Sequence, residues 1–354
     1  MPETRYRDRR AFAIENAQVR LTVLQEGGHI AELLDKSRGV NPLWTPPWRS
    51  IEPSTYDLAK HPEYGSDAES KLLAGIMGHN LCMDIFGGVS AEEAAAGLTV
   101  HGEASVAMYE ISGGAGELTM RARFPASQLA FERAIRLDAN TVQFDETVEN
   151  LSAADRPIGW TQHVTLGPPF LEKGRTVFGA PATRSLVYEE DVGASGYLQP
   201  GAKFDWPDAP RRDGRTTDLR ILNGAPSSAA YTTHLMDPHR EHAYFTAWSP
   251  STRVAIGYLW PVANFPWLGI WEENFSRATP PWNGKTLTRG MEFGASPIPE
   301  PRRRMLERGS LFGVPAYRWI PARAKVPVRY WAIIGQAGGS PAAVAVTGGR
   351  VAFT

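Results

Sequence analysis

The stretch Thr141-Val-Gln-Phe-Asp-Glu-Thr-Val148 puts Val142, Phe144 and Val148 on one parity and Gln143, Asp145 and Thr147 on the other. That is period two, and it predicts a strand with one packed face and one wet face. Working outward, alternating or β-rich segments recur at 19–25, 105–111, 117–124, 129–137, 159–166, 243–249, 254–260, 267–271, 286–293 and 326–334. Helical signals are few. Ser90-Ala-Glu-Glu-Ala-Ala-Ala-Gly97 carries a capping box from Ser90 to Glu93 and a terminal glycine. Residues 67–75 and 300–309 are the other short candidates, and Arg302–Arg304 reads as a solvated helix start. The 34 glycines and 28 prolines suit turns between strands. Many strands, few helices and no strand–helix alternation predict an all-β chain, a large antiparallel β-sandwich. Pro and Gly are spread evenly and no repeat is visible. A single domain is therefore expected over residues 1–354, with its core at about 15–335 and a short C-terminal extension after Ala337-Gly-Gly-Ser-Pro341.

The charge balance, 37 Lys and Arg against 38 Asp and Glu, argues against a broad nucleic-acid surface, which needs clustered cations. The single cysteine, Cys82, excludes an internal disulfide and a Cys-rich zinc site. The N-terminus is polar, with no apolar run of signal-peptide length, and no stretch approaches the ~18 apolar residues of a membrane span. The expectation is a soluble, cytoplasmic protein that binds neither nucleic acid nor membrane. Phosphate-loop, nucleophile-elbow and His-Glu-x-x-His motifs are absent. His234, His239 and His242 are too loosely spaced to read as a metal cluster.

Three ionisable residues stand out. His101 is followed by Gly102, whose missing side chain lets other groups approach. His163 lies inside a strand pattern and shares its parity with Thr161 and Thr165, so it faces either a wet cleft or an ordinary solvated surface. Glu292, in Gly290-Met-Glu-Phe-Gly294, is an isolated carboxylate in an apolar strand: a surface group, or a buried one suited to act as a base. Trp248, Trp260, Trp267, Trp271 and Trp282 cluster late in the chain, where flat indoles either fill a core or line a sugar site. Trp271-Glu-Glu-Asn274 is the best placed of them for a cleft rim.

In this order these pieces resemble the aldose 1-epimerase (galactose mutarotase-like) superfamily. Residues 19–25 followed by Gly27-Gly-His-Ile-Ala-Glu-Leu-Leu-Asp35 look like its first hairpin. The His101-Gly102 pair and the Gln162-His163 strand are similar to its two histidine motifs, Thr147-Val-Glu-Asn-Leu-Ser152 to a strand end, and residues 269–274 and 290–297 to its sugar-facing strand and catalytic glutamate. The resemblance covers roughly residues 15–335. It implies an isomerase of carbohydrate metabolism that interconverts the anomers of a small-molecule sugar without a cofactor. Glu292 is then the general base, His163 the general acid and His101 a hydrogen-bonding partner at the ring oxygen, with base and acid on opposite sides of the bound ring, several ångströms apart. The family's Asn-Arg pair appears as His79-Asn80, and Asp237 stands near the place of its aspartate. With Trp271 these make the implied substrate-binding set. The rivals are a carbohydrate-binding module of the same fold, a polysaccharide-acting enzyme using Tyr231 or Tyr244, and a metal centre built from His101, His163 and Glu292. The oligomeric state is left open.

Overall fold

In the computed structural model, which describes residues 3–190 and 192–354, the alternating stretch becomes strand Thr141–Asn150. It pairs with Leu129–Asp138 on one side and Lys325–Gln336 on the other. These belong to an eight-stranded sheet that also holds Glu110–Gly114, Glu117–Phe124, Val177–Gly179, His242–Ser249 and Val254–Pro261. Facing it is a twelve-stranded sheet. Its central order runs His79–Asp84, Arg156–Leu166, Leu287–Gly294, Trp267–Asn274, Ser228–Met236, and every ladder among these strands is antiparallel.

The two sheets bury their apolar parities against each other. Val142, Phe144 and Val148 from one meet Trp160, Val164, Met291 and Phe293 from the other in one continuous core. Trp260 and Phe293 stack at 4.2 Å, and Phe144 and Tyr330 at 4.7 Å. Each such ring contributes about 1.5–3 kcal/mol of burial.

Two inward positions of the alternating strand are not apolar, Glu146 and, at its end, Asn150. Glu146 meets Arg133 at 2.7 Å, with both side chains at most 1% exposed. Its oxygens also accept from Trp160 Nε1 at 2.9 Å, Gln162 Nε2 at 2.8 Å and the Tyr330 hydroxyl at 2.8 Å. A charge pair this deep persists because its remaining hydrogen-bonding capacity is satisfied.

Helices are short: Ser70–Gly75, Ala91–Ala95 and Arg302–Arg308. The Ser90–Glu93 capping box forms, with both of its hydrogen bonds present. Two expectations change. Residues 105–106 form a turn and 107 a bend, and the strand begins only at Glu110. Their backbone serves the turn at 24–29 instead of a sheet neighbour: Ser105 O meets His29 Nε2 at 2.9 Å, and Ala107 O accepts from Gly27 N at 2.7 Å. Nor is the start of the third helix simply solvated. Arg302 grips the buried carboxylate of Asp84 through both Nη atoms, which ties the helix to the end of a central strand. At the C-terminus Val344–Thr347 and Arg350–Phe353 form a hairpin that packs against Tyr244, Leu259 and Ile333.

Candidate active site

Register brings the distant residues together. Across five adjacent strands of the large sheet, Asn80, His163, Glu292, Gly269 and Thr233 stand in one row. Thr165, Gly290, Trp271 and Tyr231 form the next. Cross-strand partners point to the same face, and this face is turned away from the other sheet. Glycine at 269 and 290 leaves a trough in the sheet surface, and the Glu292 side chain lies in it. A Cβ at 290 would overlap Glu292 Oε1, and one at 269 would come within 3.3 Å of Oε2.

A cavity of about 160 Å³ stands above these rows. Its floor is His163, Glu292, Trp271 and Tyr231, and its walls include His101, Trp282 and the Glu69–Arg277 pair. The wall segments are locked by an aromatic cluster. Trp48 meets Trp282 edge-on at 5.1 Å, Trp44 stacks on Trp282 at 6.1 Å, and Trp271 meets Trp282 at 5.9 Å.

His163 Nε2 lies 3.0 Å from Glu292 Oε1. That contact lacks hydrogen-bond alignment, and Oε1 has no other partner although it is buried. An acceptor left so is disposed to receive a ligand hydroxyl. The second ring nitrogen of His163, Nδ1, is 2.9 Å from the Thr165 hydroxyl. A hydroxyl donates to a bare nitrogen and accepts from a protonated one, so Thr165 supports both states of the ring.

His101 is held differently. It has φ +68 and is followed by Gly102 at φ +75, where a Cβ would collide with the Met83 carbonyl. The left-handed pair swings its ring over the cavity, 4.8 Å from that of His163. His101 Nδ1 donates to Phe86 O at 2.6 Å, since a carbonyl can only accept. Burial, reinforced by His163, lowers its pKa to about 3. It is therefore neutral, and its Nε2 carries a lone pair. It can accept from a sugar hydroxyl. It cannot donate to a ring oxygen, which changes the role expected of it.

Trp271 lines the cavity as expected of a rim residue, 6.0 Å from His163. The other three expected binding residues are placed elsewhere. His79 occupies the opposite parity and faces the space between the sheets. Its ring bridges Gln162 Oε1 at 3.0 Å and the Tyr258 hydroxyl at 3.2 Å, and burial, then Arg133, holds its pKa far below the usual imidazole range. Asn80 flanks His163 in the sheet but is covered, with both side-chain polar atoms unpartnered, and does not line the cavity. Asp237 caps a turn, accepting from His239 N at 3.0 Å, and its neighbours Met236 and Pro238 border a separate groove.

Four charged or aromatic residues of the wall and floor, Trp282, Tyr231, Arg277 and Glu69, have no place assigned from the sequence. Trp282 was one of several clustered indoles. Tyr231 was a tyrosine without a position; its hydroxyl donates to Pro297 O at 3.1 Å, and burial, then Glu292, raises its pKa well above the ordinary tyrosine range. Tyr244 is remote, its hydroxyl on Ala342 O. Arg277 comes from a loop, where no spacing rule applies, and Glu69 is the residue before helix Ser70–Gly75. The Arg277 guanidinium lies 4.6 Å from the Trp282 ring centre and 5.7 Å from that of Trp271.

Among the described residues no group of three or more His, Cys, Asp or Glu side chains is arranged to hold a metal ion. His234 is buried between Thr232 and Ser185, apart from His239 and His242. Among the same residues no helix is long and apolar enough to cross a membrane.

No family model matches the sequence, and no curated protein matches it. Solved structures do. A Klebsiella pneumoniae protein provisionally named an aldose 1-epimerase superposes with a TM-score of 0.66 at 14% identity, over 94% of this chain and 80% of that one. A galactose mutarotase-like protein of Clostridium acetobutylicum gives 0.61 at 11% identity, over 95% and 98%. A galactose mutarotase related enzyme of Lactobacillus acidophilus gives 0.59 at 12% identity, over 93% and 99%. The chain thus has the galactose mutarotase-like sandwich fold.

Proposed function

We propose that this protein interconverts the α and β anomers of a free sugar, by acid–base opening and reclosure of its ring. The observation that carries the reading is the contact between His163 and Glu292 on paired strands, inside a cavity with room for one sugar ring. The fold shared with mutarotase-like proteins supports it, although fold alone does not fix chemistry.

In the proposed cycle the Glu292 carboxylate takes the proton of the anomeric hydroxyl. His163, starting as imidazolium, gives its Nε2 proton to the ring oxygen. The C1–ring-oxygen bond breaks as the C1 carbonyl forms. Rotation about C1–C2 presents the other face of the aldehyde. The steps then reverse: His163 recovers its proton, the ring oxygen attacks C1, and Glu292 returns a proton to the new hydroxyl. Protons and electron pairs balance, and no cofactor enters. Acid and base are expected on opposite sides of the ring and several ångströms apart; they are instead in contact, and the chemistry does not require the separation. Both reacting oxygens are bonded to one carbon, so an acid and a base standing 3.0 Å apart can serve them together. Thr165 steadies His163 in both protonation states, and neutral His101 accepts from a further sugar hydroxyl. Trp271 offers an apolar wall to the ring face.

The test is polarimetry on freshly dissolved single anomers. The protein should accelerate mutarotation, and Glu292→Gln, which keeps shape but removes the base, should abolish the acceleration. Unchanged acceleration by Glu292→Gln refutes the assignment.

A further inference from the structure

Among the described residues Arg277 is the one arginine or lysine that lines the cavity, and it is not free. Glu69 meets its Nη1 with both carboxylate oxygens at 3.5 Å. Glu273 meets its Nε at 3.7 Å from the other side. Glu273 is 2% exposed and is itself fixed by Ser276, whose backbone N and hydroxyl both donate to it at 2.6 Å. The indoles of Trp271 and Trp282 hold the guanidinium in place. Glu69 is the looser partner. Its side chain is 30% exposed at the start of helix Ser70–Gly75, where it makes no capping bond.

The charge balance follows. Around the cavity stand the carboxylates of Glu69 and Glu292, with Glu273 directly behind Arg277: three negative groups against the permanent cation of Arg277 and, in the proposed cycle, the imidazolium of His163. His101 is neutral. A sugar carrying phosphate or carboxylate would meet this surplus of negative charge with its only permanent counter-charge already occupied. Like charges brought together in a partly dry site are strongly disfavoured.

We propose that Glu69 sets the charge selectivity of the site: by occupying Arg277 it restricts the cavity to uncharged sugars, and its removal bares a cation that accepts an anionic one. This rests on the anomer-exchange reading for its substrate and adds the residue that selects among substrates.

The test is ligand-observed NMR binding at low ionic strength, which needs no turnover. D-glucose and D-galactose are compared with their 6-phosphates and with D-galacturonate. The wild-type protein should bind the uncharged sugars at least tenfold more tightly than the anionic ones. Glu69→Gln should shift that ratio at least tenfold towards the anionic sugars. Glu69→Ala, which leaves the same cation bare, should shift it in the same direction, and Glu69→Gln combined with Arg277→Gln should lose the gain. A wild-type ratio within twofold of one, or a ratio that neither Glu69 variant moves, overturns the proposal. If the ratio shifts as stated but no variant exchanges anomers, the catalytic reading fails and this one stands. If anomers exchange and the ratio does not move, the reverse holds. Binding of neither sugar class by any of these proteins overturns both.

Discussion

Placing alanine at position 290 separates the shape of the trough from the folding of the sheet. Gly290 sits within strand Leu287–Gly294 and has no left-handed φ, so its backbone accepts alanine without strain. The new Cβ would overlap Glu292 Oε1 and lie 3.1 Å from Cδ and 3.2 Å from Cγ. What must give way is the far end of one flexible side chain. To recover an ordinary contact of ~3.5 Å the carboxylate moves by roughly 1 Å, which takes Oε1 away from its present place beside His163. A misplacement of that size costs about 100-fold in rate, or ~2.7 kcal/mol of transition-state stabilisation. Polarimetry under saturating sugar should therefore show kcat of Gly290→Ala down about 100-fold, while the urea midpoint stays at or slightly above that of the wild type. A variant that keeps more than half of the wild-type kcat would refute the claim that the two glycines position the base.

Further outcomes follow from the same geometry. His29, His79, His101 and His234 are buried, and burial is the first cause of the lowered pKa in each, to about 3 for His29, His101 and His234 and well below the usual range for His79. Each stays neutral in the fold and takes up a proton on unfolding below about pH 6.5. Stability is therefore full above that value and falls as pH drops towards 3, by up to roughly 5 kcal/mol per pH unit for the four together; urea midpoints that stay flat between pH 7 and 5 would contradict this. Glu146→Gln leaves the Arg133 guanidinium buried without its counter-charge and should cost about 3–5 kcal/mol in urea unfolding, a loss under 1 kcal/mol being the contrary result. Trp271→Ala removes the apolar wall and should weaken sugar binding about tenfold with kcat changed far less, a split that steady-state polarimetry reads directly.

The sequence disclosed some elements and hid others for physical reasons. Glu117–Phe124, Leu129–Asp138 and Thr141–Asn150 have one face in the core and one in water, so their residues alternate and the strands are legible. His79–Asp84 and Ser228–Met236 are buried on both faces, because the core lies on one side and the layer around the cavity on the other. Their residues do not alternate, and neither was read as a strand from its pattern. The same double burial misled at His79, where a one-residue difference in parity decides between cavity and core. His163 was readable because Thr161 and Thr165 share its parity. Glu292 was readable because a lone carboxylate interrupts an apolar strand. Arg277 was not, because it reaches the cavity from a loop, where position follows from the path of the chain and from indole packing and leaves no periodic trace; Glu69 stands at the start of an expected short helix, whose pattern does not say what its first residue faces.

The central claim is that His163 and Glu292 together open and close a sugar ring. Two-dimensional exchange NMR on the anomeric protons of an uncharged free aldose at equilibrium tests it without any coupled reaction. With wild-type protein, cross-peaks between the α and β signals should grow within the mixing time, and Glu292→Gln and His163→Asn should each remove them. Sugar that binds, broadening its signals, while the two anomers fail to exchange faster than in buffer would contradict the account.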